Sequence, residues 1–387
     1  MPDPAVSALI ERIHEARAVR GNLCIRGGGT KDFYGEAPQG TRLDTRALSG
    51  ISSYEPSELV VTARAGTPIA ELEAALAERG QWLPFEPPRF AQAAGATTPG
   101  DTIGDTIGNT VDGTVGGTVG GMVAAGLSGP TRPSAGGVRD HVLGATMING
   151  RGELLSFGGQ VMKNVAGYDV SRLLAGSMGV LGVICEVSLK VLPRPPATAT
   201  LRFEFDEAAA LTQLNTWGGQ PLPLAASAWW DGMLVLRLAG ARAAVDAACH
   251  ALGGERVDAA LAAGFWDGLR DHTDEFFVGA ARALEGGATL WRLSLPPTAP
   301  PLRLSNQQLI EWGGGQRWLC SALPAATVRD AATALGGHAT LFRGRNRSAG
   351  VFAPLKTPLD RIHRQLKKAF DPDGILNPGR LYPSLAG

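Results

Sequence analysis

The sequence predicts an α+β chain: an N-terminal domain of alternating α and β elements over residues 1–195, an antiparallel α+β domain over 196–345, and a C-terminal segment over 346–387. Three observations carry this. In the first half, short apolar strands alternate with amphipathic helices and are joined by glycine-rich turns. Pro193, Pro195 and Pro196 then break a β-branched run and mark a boundary near residue 195. Beyond it, apolar and polar residues alternate as in half-buried antiparallel strands, between alanine-rich helices.

Taken in order, residues 4–20 put Val6, Leu9, Ile10 and Ile13 on one helical face. A strand at Leu23–Ile25 runs into Arg26-Gly27-Gly28-Gly29-Thr30-Lys31, and another is expected at Leu59–Thr62. Thr67 is expected to cap a helix with Pro68 in its first position, Ile69, Leu72 and Leu76 on one face, and Gly80 as its stop. Residues 101–121 form a tandem four-residue repeat, DTIG-DTIG-NTVD-GTVG-GTVG-G, shorter than solenoid or propeller repeats. It reads as one Thr-Val-Gly-Gly turn expanded into a surface loop, which costs little because closure entropy grows only logarithmically. The working copy is then the last, Thr118-Val119-Gly120-Gly121, leading into a helix start at Met122–Gly126. Strands are expected at Val142–Ile148 and Glu153–Phe157 around an Asn149–Gly152 turn, a helix at Val170–Ala175, and a strand at Val183–Val191. In the second half, Leu201, Phe203 and Phe205 alternate with Arg202 and Glu204, and Trp291, Leu293 and Leu295 alternate with Arg292 and Ser294. Helices are expected at 241–252, 325–335 and, strongly basic, near 358–370.

The totals exclude several functions. Lys plus Arg and Asp plus Glu both number 36, so a neutral chain gives no electrostatic case for nucleic acid or anionic membrane. The 52 glycines cluster, which favours specific tight turns over low complexity. Cys24, Cys185, Cys249 and Cys320 are scattered without a CxxC pair, which argues against a zinc ribbon or a self-contained iron–sulfur site. Met-Pro-Asp-Pro lacks the features of a signal peptide, and no run of about 18 apolar residues occurs. A reducing, cytoplasmic protein is expected.

No GxGxxG opens a βαβ unit, and neither GxxxxGK(S/T) nor HExxH is present. Ala175-Gly176-Ser177-Met178-Gly179 lacks the first glycine of a hydrolase elbow. What remains are small-residue loops. Consecutive glycines let backbone N–H groups converge on an anion without interference from Cβ. Arg26 through Lys31 has this form, flanked by two cations, and Gly120-Gly121 before a helix has it again. Two such nests suit the pyrophosphate of a dinucleotide; taken alone, each is as readily a structural turn.

The order Arg-Gly-Gly-Gly-Thr, Pro-Phe-Glu-Pro-Pro (84–88), Thr-Val-Gly-Gly-Met, and Gly-Tyr-Asp followed by Gly-Ser-Met-Gly-Val-Leu-Gly resembles the vanillyl-alcohol-oxidase, or PCMH-type, FAD-binding domain. The whole chain resembles the FAD-binding subunits of glycolate oxidase, through Val161–Asp169, Trp312-Gly313-Gly314, Gly336–Thr340 and Asn377-Pro378-Gly379-Arg380. The resemblance implies a two-subdomain FAD-binding domain, an antiparallel α+β cap domain, and a C-terminal segment that returns to the flavin. It assigns to FAD Arg26, Gly27, Gly28, Gly29, Thr30, Lys31, Pro84, Thr118, Gly120, Gly121, Met122, Ala125 and Gly126. Ser128, Gly129, Tyr168, Asp169, Gly182, Val183, Ile184 and Asn377 complete that set. Relatives with covalent flavin place a His directly after the Arg-x-Gly-Gly run, where this chain has Gly29 or Thr30, so dissociable FAD is expected.

The implied activity is oxidation of glycolate to glyoxylate within a complex containing a catalytic flavoprotein subunit and an iron–sulfur subunit, with membrane contact only through partners. Self-sufficient catalytic relatives carry a His-rich metal motif; none is found here, and no metal is expected. Two other readings stay open: a self-sufficient FAD-linked dehydrogenase of a 2-hydroxy acid of the D-lactate type, and a structural subunit with a decayed flavin site. His338 is the candidate base, although a lone His is also a common structural residue. Arg292, Arg317 and Arg343 could each clamp a carboxylate; for Arg292, on the polar side of a strand, solvation or a salt bridge is the competing reading. Trp312 and Trp318 suit a cofactor wall, an interface anchor or ordinary core. The basic run Arg361–Lys368 reads as a solvated helix face, with subunit docking as the alternative.

Overall fold

Backbone hydrogen bonding in a computed structural model, which describes residues 3–90, 117–159, 169–304 and 308–385, gathers most strands into two large sheets. The first half contributes β1 (Leu23–Arg26), β2 (Thr41–Asp44), β3 (Ile51–Glu55), β4 (Val60–Arg64), β5 (Gln81–Trp82), β6 (Val142–Ile148), β7 (Leu154–Gly158), β8 (Val183–Lys190) and β9 (Leu192–Pro193). β1 and β2 pair in parallel, while β3-β4-β8-β6-β7 form an antiparallel five-stranded sheet. Next come β10 (Ala197–Glu204), β11 (Leu224–Trp230), β12 (Met233–Gly240), β13 (Glu255–Arg256), β14 (Thr289–Ser294), β15 (Gln308–Glu311), β16 (Gln316–Ser321) and β17 (His338–Arg343). These form one antiparallel sheet in the order β13-β10-β12-β11-β15-β16-β14-β17.

The first helix, Pro4–Val19, starts where the Asp3 carboxylate accepts the Ala5 amide at 2.8 Å. It buries Leu9, Ile13 and Ala16 against Leu23, Val183 and Cys185. On the opposite side of the five-stranded sheet, the helices Ile69–Ala77 and Val119–Ala125 pack Leu72, Leu76 and Met122 with Val61, Ile184 and Val187. Val183 and Cys185 of β8 thus feed one core and Ile184, Val187 and Leu189 the other, which explains the unbroken apolar start Val183–Cys185.

Three local expectations change. Pro68 is the N-cap rather than the first turn of its helix, because the Thr67 hydroxyl is engaged with the Gly50 backbone at 3.0 Å. The helix after the tandem repeat begins at Val119, since the Thr118 hydroxyl accepts the Gly121 amide at 3.3 Å. The expected helix at 170–175 is one 3-10 turn, Ser171–Leu174.

Helices Glu207–Gly218, Arg242–Leu252 and Ala325–Ala334 cover one face of the eight-stranded sheet. The other face carries Ala228, Leu290, Leu309, Trp318 and Phe342. It packs against helices Ala259–Asp271 and Glu275–Glu285 and against Tyr34, Leu127 and Met178 from the first half. That inner face is where the two halves meet. The basic helix Leu359–Phe370 turns Lys367 inward, so its positive run is not one solvated face. The chain then returns to β1, where the Leu23 amide donates to the Ile375 carbonyl at 2.8 Å and the Asn377 amide to the Leu23 carbonyl at 2.9 Å. Among the described residues no helix is long and apolar enough to cross a membrane.

Candidate cofactor site

β1 ends in the turn Gly27–Lys31, and the first turn of the Val119–Ala125 helix lies against it. The approach is backbone-close. A Cβ on Gly27 would sit 2.3 Å from the Thr118 hydroxyl, and one on Gly117 would sit 2.7 Å from the Thr30 hydroxyl. Gly120 is equally constrained, with a Cβ meeting the Ala65 methyl at 2.7 Å. Only glycine permits this meeting of turns, which is the physical reason for the residue type at these places.

Between them opens a cleft. Arg26, Gly27, Gly28, Gly29, Thr30 and Lys31 line one side; Thr118, Gly120, Gly121 and Ala125 line another; Gly182, Ile184 and Asn377 close it. Pro84 borders a separate cleft, and its carbonyl accepts the Thr131 hydroxyl at 2.6 Å. Met122 and Val183 are core residues. Gly126 ends its helix in the left-handed conformation, φ 64°. The Ser128 hydroxyl accepts the Val138 amide, and the Gly129 carbonyl accepts Trp312 Nε1 at 3.1 Å. Asp169 pairs with Arg172 at 3.2 Å. None of these seven lines the cleft, and Tyr168, with Val161–Gly167 and residues 101–116, lies outside the described residues.

Sequence reasoning missed Asp32, Ala65, Met178, Gly179 and Arg380, all of which line the cleft. Arg380 and Gly179 stand inside recognised motifs, so their spacing was the available signal; Ala65 offered none. Arg26 and Asp32 pair at 2.7 Å, and burial raises the Asp32 carboxyl despite Arg26 and Arg380 beside it. Lys31 forms no ion pair among the described residues; its ammonium reaches only the Thr30 hydroxyl, at 3.4 Å, and burial lowers its pKa to about 8. A desolvated cation beside a cradle that Cβ atoms on Gly27 or Gly117 would fill fits a diphosphate; the amides of Val119 through Met122 are bound to Thr67, Ala65 and Thr118, so the second turn gives room and not donors. The small apolar wall of Ile25, Ala65, Ala124 and Met178 fits a flat ring.

Four other candidates separate clearly. Arg317 is fully buried and donates to the carbonyls of Ala299 and Pro300 at 2.6 and 2.7 Å, so it holds a loop and is not free to clamp a ligand. His338 is exposed on the edge strand β17, opposite Ser294; partial desolvation and the charge of Arg292 lower its pKa. Arg292 has no ion pair among the described residues and donates to Tyr34 Oη at 3.2 Å. Trp312 anchors the two halves through Gly129, with the Arg132 guanidinium 4.6 Å above its ring.

Fold and cleft together define a flavoprotein with a PCMH-type FAD-binding domain, and the comparisons with known proteins agree. Residues 5–116 match the family model of the FAD binding domain. Over 378 residues the chain is 45% identical to glycolate oxidase subunit GlcE of Escherichia coli (strain K12), covering 98% of this chain and 97% of that one. The chain belongs to that GlcE family. Glycolate oxidase subunit GlcD of Bacillus subtilis (strain 168) is 37% identical over 90 residues, 23% of this chain and 19% of its own. A solved alkyldihydroxyacetonephosphate synthase superposes with a TM-score of 0.58 at 15% identity, covering 96% of this chain and 74% of that one, which shows shared fold. The chain is thus a member of an FAD-dependent oxidoreductase family, and its cofactor is FAD.

Proposed function

We propose that this chain is the FAD-binding subunit of a glycolate-oxidising complex, in which glycolate becomes glyoxylate and electrons leave through an iron–sulfur partner. The observation that carries the reading is that Gly28 and Gly121, 93 residues apart in sequence, line one cleft beside Lys31. When bound, FAD supplies a two-electron acceptor for the C2–H of a 2-hydroxy acid. The chain's own part is to hold it. The Lys31 ammonium takes the diphosphate in the cradle left open by the side-chain-free Gly27–Gly29 turn, while the first turn of the Val119–Ala125 helix, whose amides are bound by Thr67, Ala65 and Thr118, forms the facing wall. The carboxamide of Asn377 fixes the strand end that feeds the first turn, and the wall around Met178 excludes water from one side. With Gly29 and Thr30 where a covalent attachment would need His, the cofactor is dissociable.

The experiment is reconstitution. The full chain, stripped of flavin, mixed with FAD and desalted, is expected to retain a yellow flavin spectrum, and acid precipitation is expected to leave the flavin in the supernatant and the protein pellet colourless. Co-expressed with its neighbouring subunits, it is expected to purify in a complex that also contains an iron–sulfur protein. A chain that takes up no FAD would point instead to a structural subunit. Bleaching of the isolated chain by glycolate or D-lactate would show a self-sufficient dehydrogenase.

A further inference from the structure

Four basic side chains meet on the inner face of the eight-stranded sheet, close to Lys31. The Arg343 guanidinium stacks 3.6 Å from the Phe33 ring centroid and 5.5 Å from that of Phe90. Arg292 donates to Tyr34 Oη and lies 5.9 Å from the Phe342 centroid. Lys31 Nζ is 5.8 Å from the Phe90 centroid. His272 stacks on Phe277 at 3.8 Å and meets Phe90, Trp318 and Phe342 within 5.3 Å. Phe90 and Phe342 therefore tie all four groups into one aromatic-walled box.

The charge balance of this box is unusual for the chain. Elsewhere, buried guanidinium groups are matched: Arg237 with Glu86 at 2.7 Å, Arg270 with Asp271 at 2.7 Å, Arg317 with carbonyl oxygens. Among the described residues Arg343, Arg292 and Lys31 have no ion pair and His272 Nδ1 is buried without a hydrogen-bond partner. Burial alone lowers Arg343 to about 10, and burial with the charges of Arg343 and Arg292 holds His272 neutral. The Asp271 carboxylate acts on Lys31 without an ion pair to it and is itself paired with Arg270 at 2.7 Å. Desolvated positive charge without a direct counter-ion is costly, and an anion that enters relieves it.

We propose that Arg343 and Arg292, with neutral His272 beside them, form a receptor for one small carboxylate between the Lys31–Tyr34 turn and the inner sheet face. Guanidinium groups take the carboxylate oxygens in charge-assisted hydrogen bonds. The imidazole accepts the hydrogen bond of a 2-hydroxyl. The rings of Phe33, Tyr34 and Phe342 limit the ligand to a small acid. Lys31 also lines the cofactor cleft, so the receptor and that cleft share a wall. The choice of a 2-hydroxy acid rests on the proposed function; the anion receptor rests on the box alone.

The test uses the full chain loaded with FAD and titrated with oxalate, a non-oxidisable dicarboxylate, with neutral oxamide as control. Binding is read by calorimetry and by tryptophan fluorescence, since Trp318 lies 4.8 Å from His272. Saturable oxalate binding is expected, with oxamide inert and affinity reduced by about tenfold or more in Arg343→Met and in Arg292→Met. Arg343→Lys, which keeps the charge, is expected to fall between them and the parent, and it tests the idea should the Met variant fold poorly. No saturable binding to the FAD-loaded chain, or full affinity in both Met variants, would overturn the receptor while leaving the flavin reading intact. A chain that rejects FAD yet binds oxalate would overturn the flavin reading and keep the receptor.

Discussion

The carboxamide of Asn377 accepts the Ile25 amide at 2.7 Å, across 352 residues of sequence. Its Nδ2 donates to the Met178 carbonyl at 2.7 Å, so a single side chain joins the C-terminal segment to two walls of the cofactor cleft. Asn377 has φ 43°, a left-handed conformation that Asn adopts more readily than most residues.

Asn377→Ala leaves a part-buried amide and a buried carbonyl unpaired and puts an aliphatic residue at positive φ. The expected loss is about 2–4 kcal/mol in denaturant unfolding, with weaker FAD binding. Asn377→Gly recovers only the backbone part. Unchanged stability and unchanged FAD affinity in Asn377→Ala would remove the C-terminal segment from the site.

The contact between Gly27 and Thr118 makes a sharper test of the cleft. An alanine at 27 puts its methyl 2.3 Å from the Thr118 hydroxyl, so the turns must separate. FAD affinity, measured by fluorescence quenching, is expected to fall about a hundredfold, as for a misplacement of about 1 Å in a preorganised site. Gly121→Ala, with its nearest contact at 3.2 Å, is expected to be milder. Adding Thr118→Ala to Gly27→Ala restores space and is expected to recover part of the affinity, at a cost of about 1 kcal/mol for the lost cap.

Local features of this molecule were legible in the sequence, and long-range ones were not. The β6 strand, the first helix and both glycine turns follow from periodicity and from what only glycine can do. The start of the Val119–Ala125 helix was placed too late because Gly120 and Gly121 are poor helix formers, and the compensating Thr118 cap shows only in three dimensions. Thr67 looked like a cap because nothing local announces its tertiary partner Gly50. The basic box was legible only in fragments: Arg292 and Arg343 stood out as possible clamps, but His272 sits in Arg270-Asp271-His272-Thr273 without any motif. Six separate stretches of chain must meet before its environment exists, and spacing along the sequence carries no trace of that.

Glu311 predicts a pH dependence. It is buried, and desolvation outweighs the hydrogen bonds from Trp318 Nε1 at 2.6 Å and Gln316 Nε2 at 3.0 Å, raising its pKa from 4.5 to about 7. Below the unfolded value the acid is protonated in both states and its contribution is fully present. Between the two values the folded chain holds a proton that the unfolded chain has released, so stability falls as pH rises. Above the folded value the penalty is complete, at about 3 kcal/mol. Glu311→Gln cannot ionise, so its stability relative to the parent is expected to improve from about pH 5 to about pH 8. A difference that stays flat across that range would show that Glu311 is ionised throughout.

Lys367 and Asp371 form a buried pair at 2.5 Å under the returning C-terminal segment. The ammonium also donates to the carbonyls of Val180 at 2.9 Å and Leu376 at 2.7 Å, while the carboxylate accepts the amides of Ile375 and Leu376. Every donor of Lys367 is therefore used, and the pair fixes the approach of the chain to Asn377. Lys367→Met leaves a buried carboxylate uncompensated and is expected to cost about 3–5 kcal/mol. Adding Asp371→Asn removes that charge while keeping one acceptor for the Leu376 amide, so the double variant is expected to be more stable than the single Lys367→Met. The double-mutant cycle measures the coupling directly. Strict additivity would mean that the pair contributes nothing beyond its separate backbone hydrogen bonds. If the coupling is large and FAD affinity falls with it, the pair stabilises the site as well as the fold, because the same five-residue stretch carries the carbonyl bound by Lys367 and leads straight into Asn377.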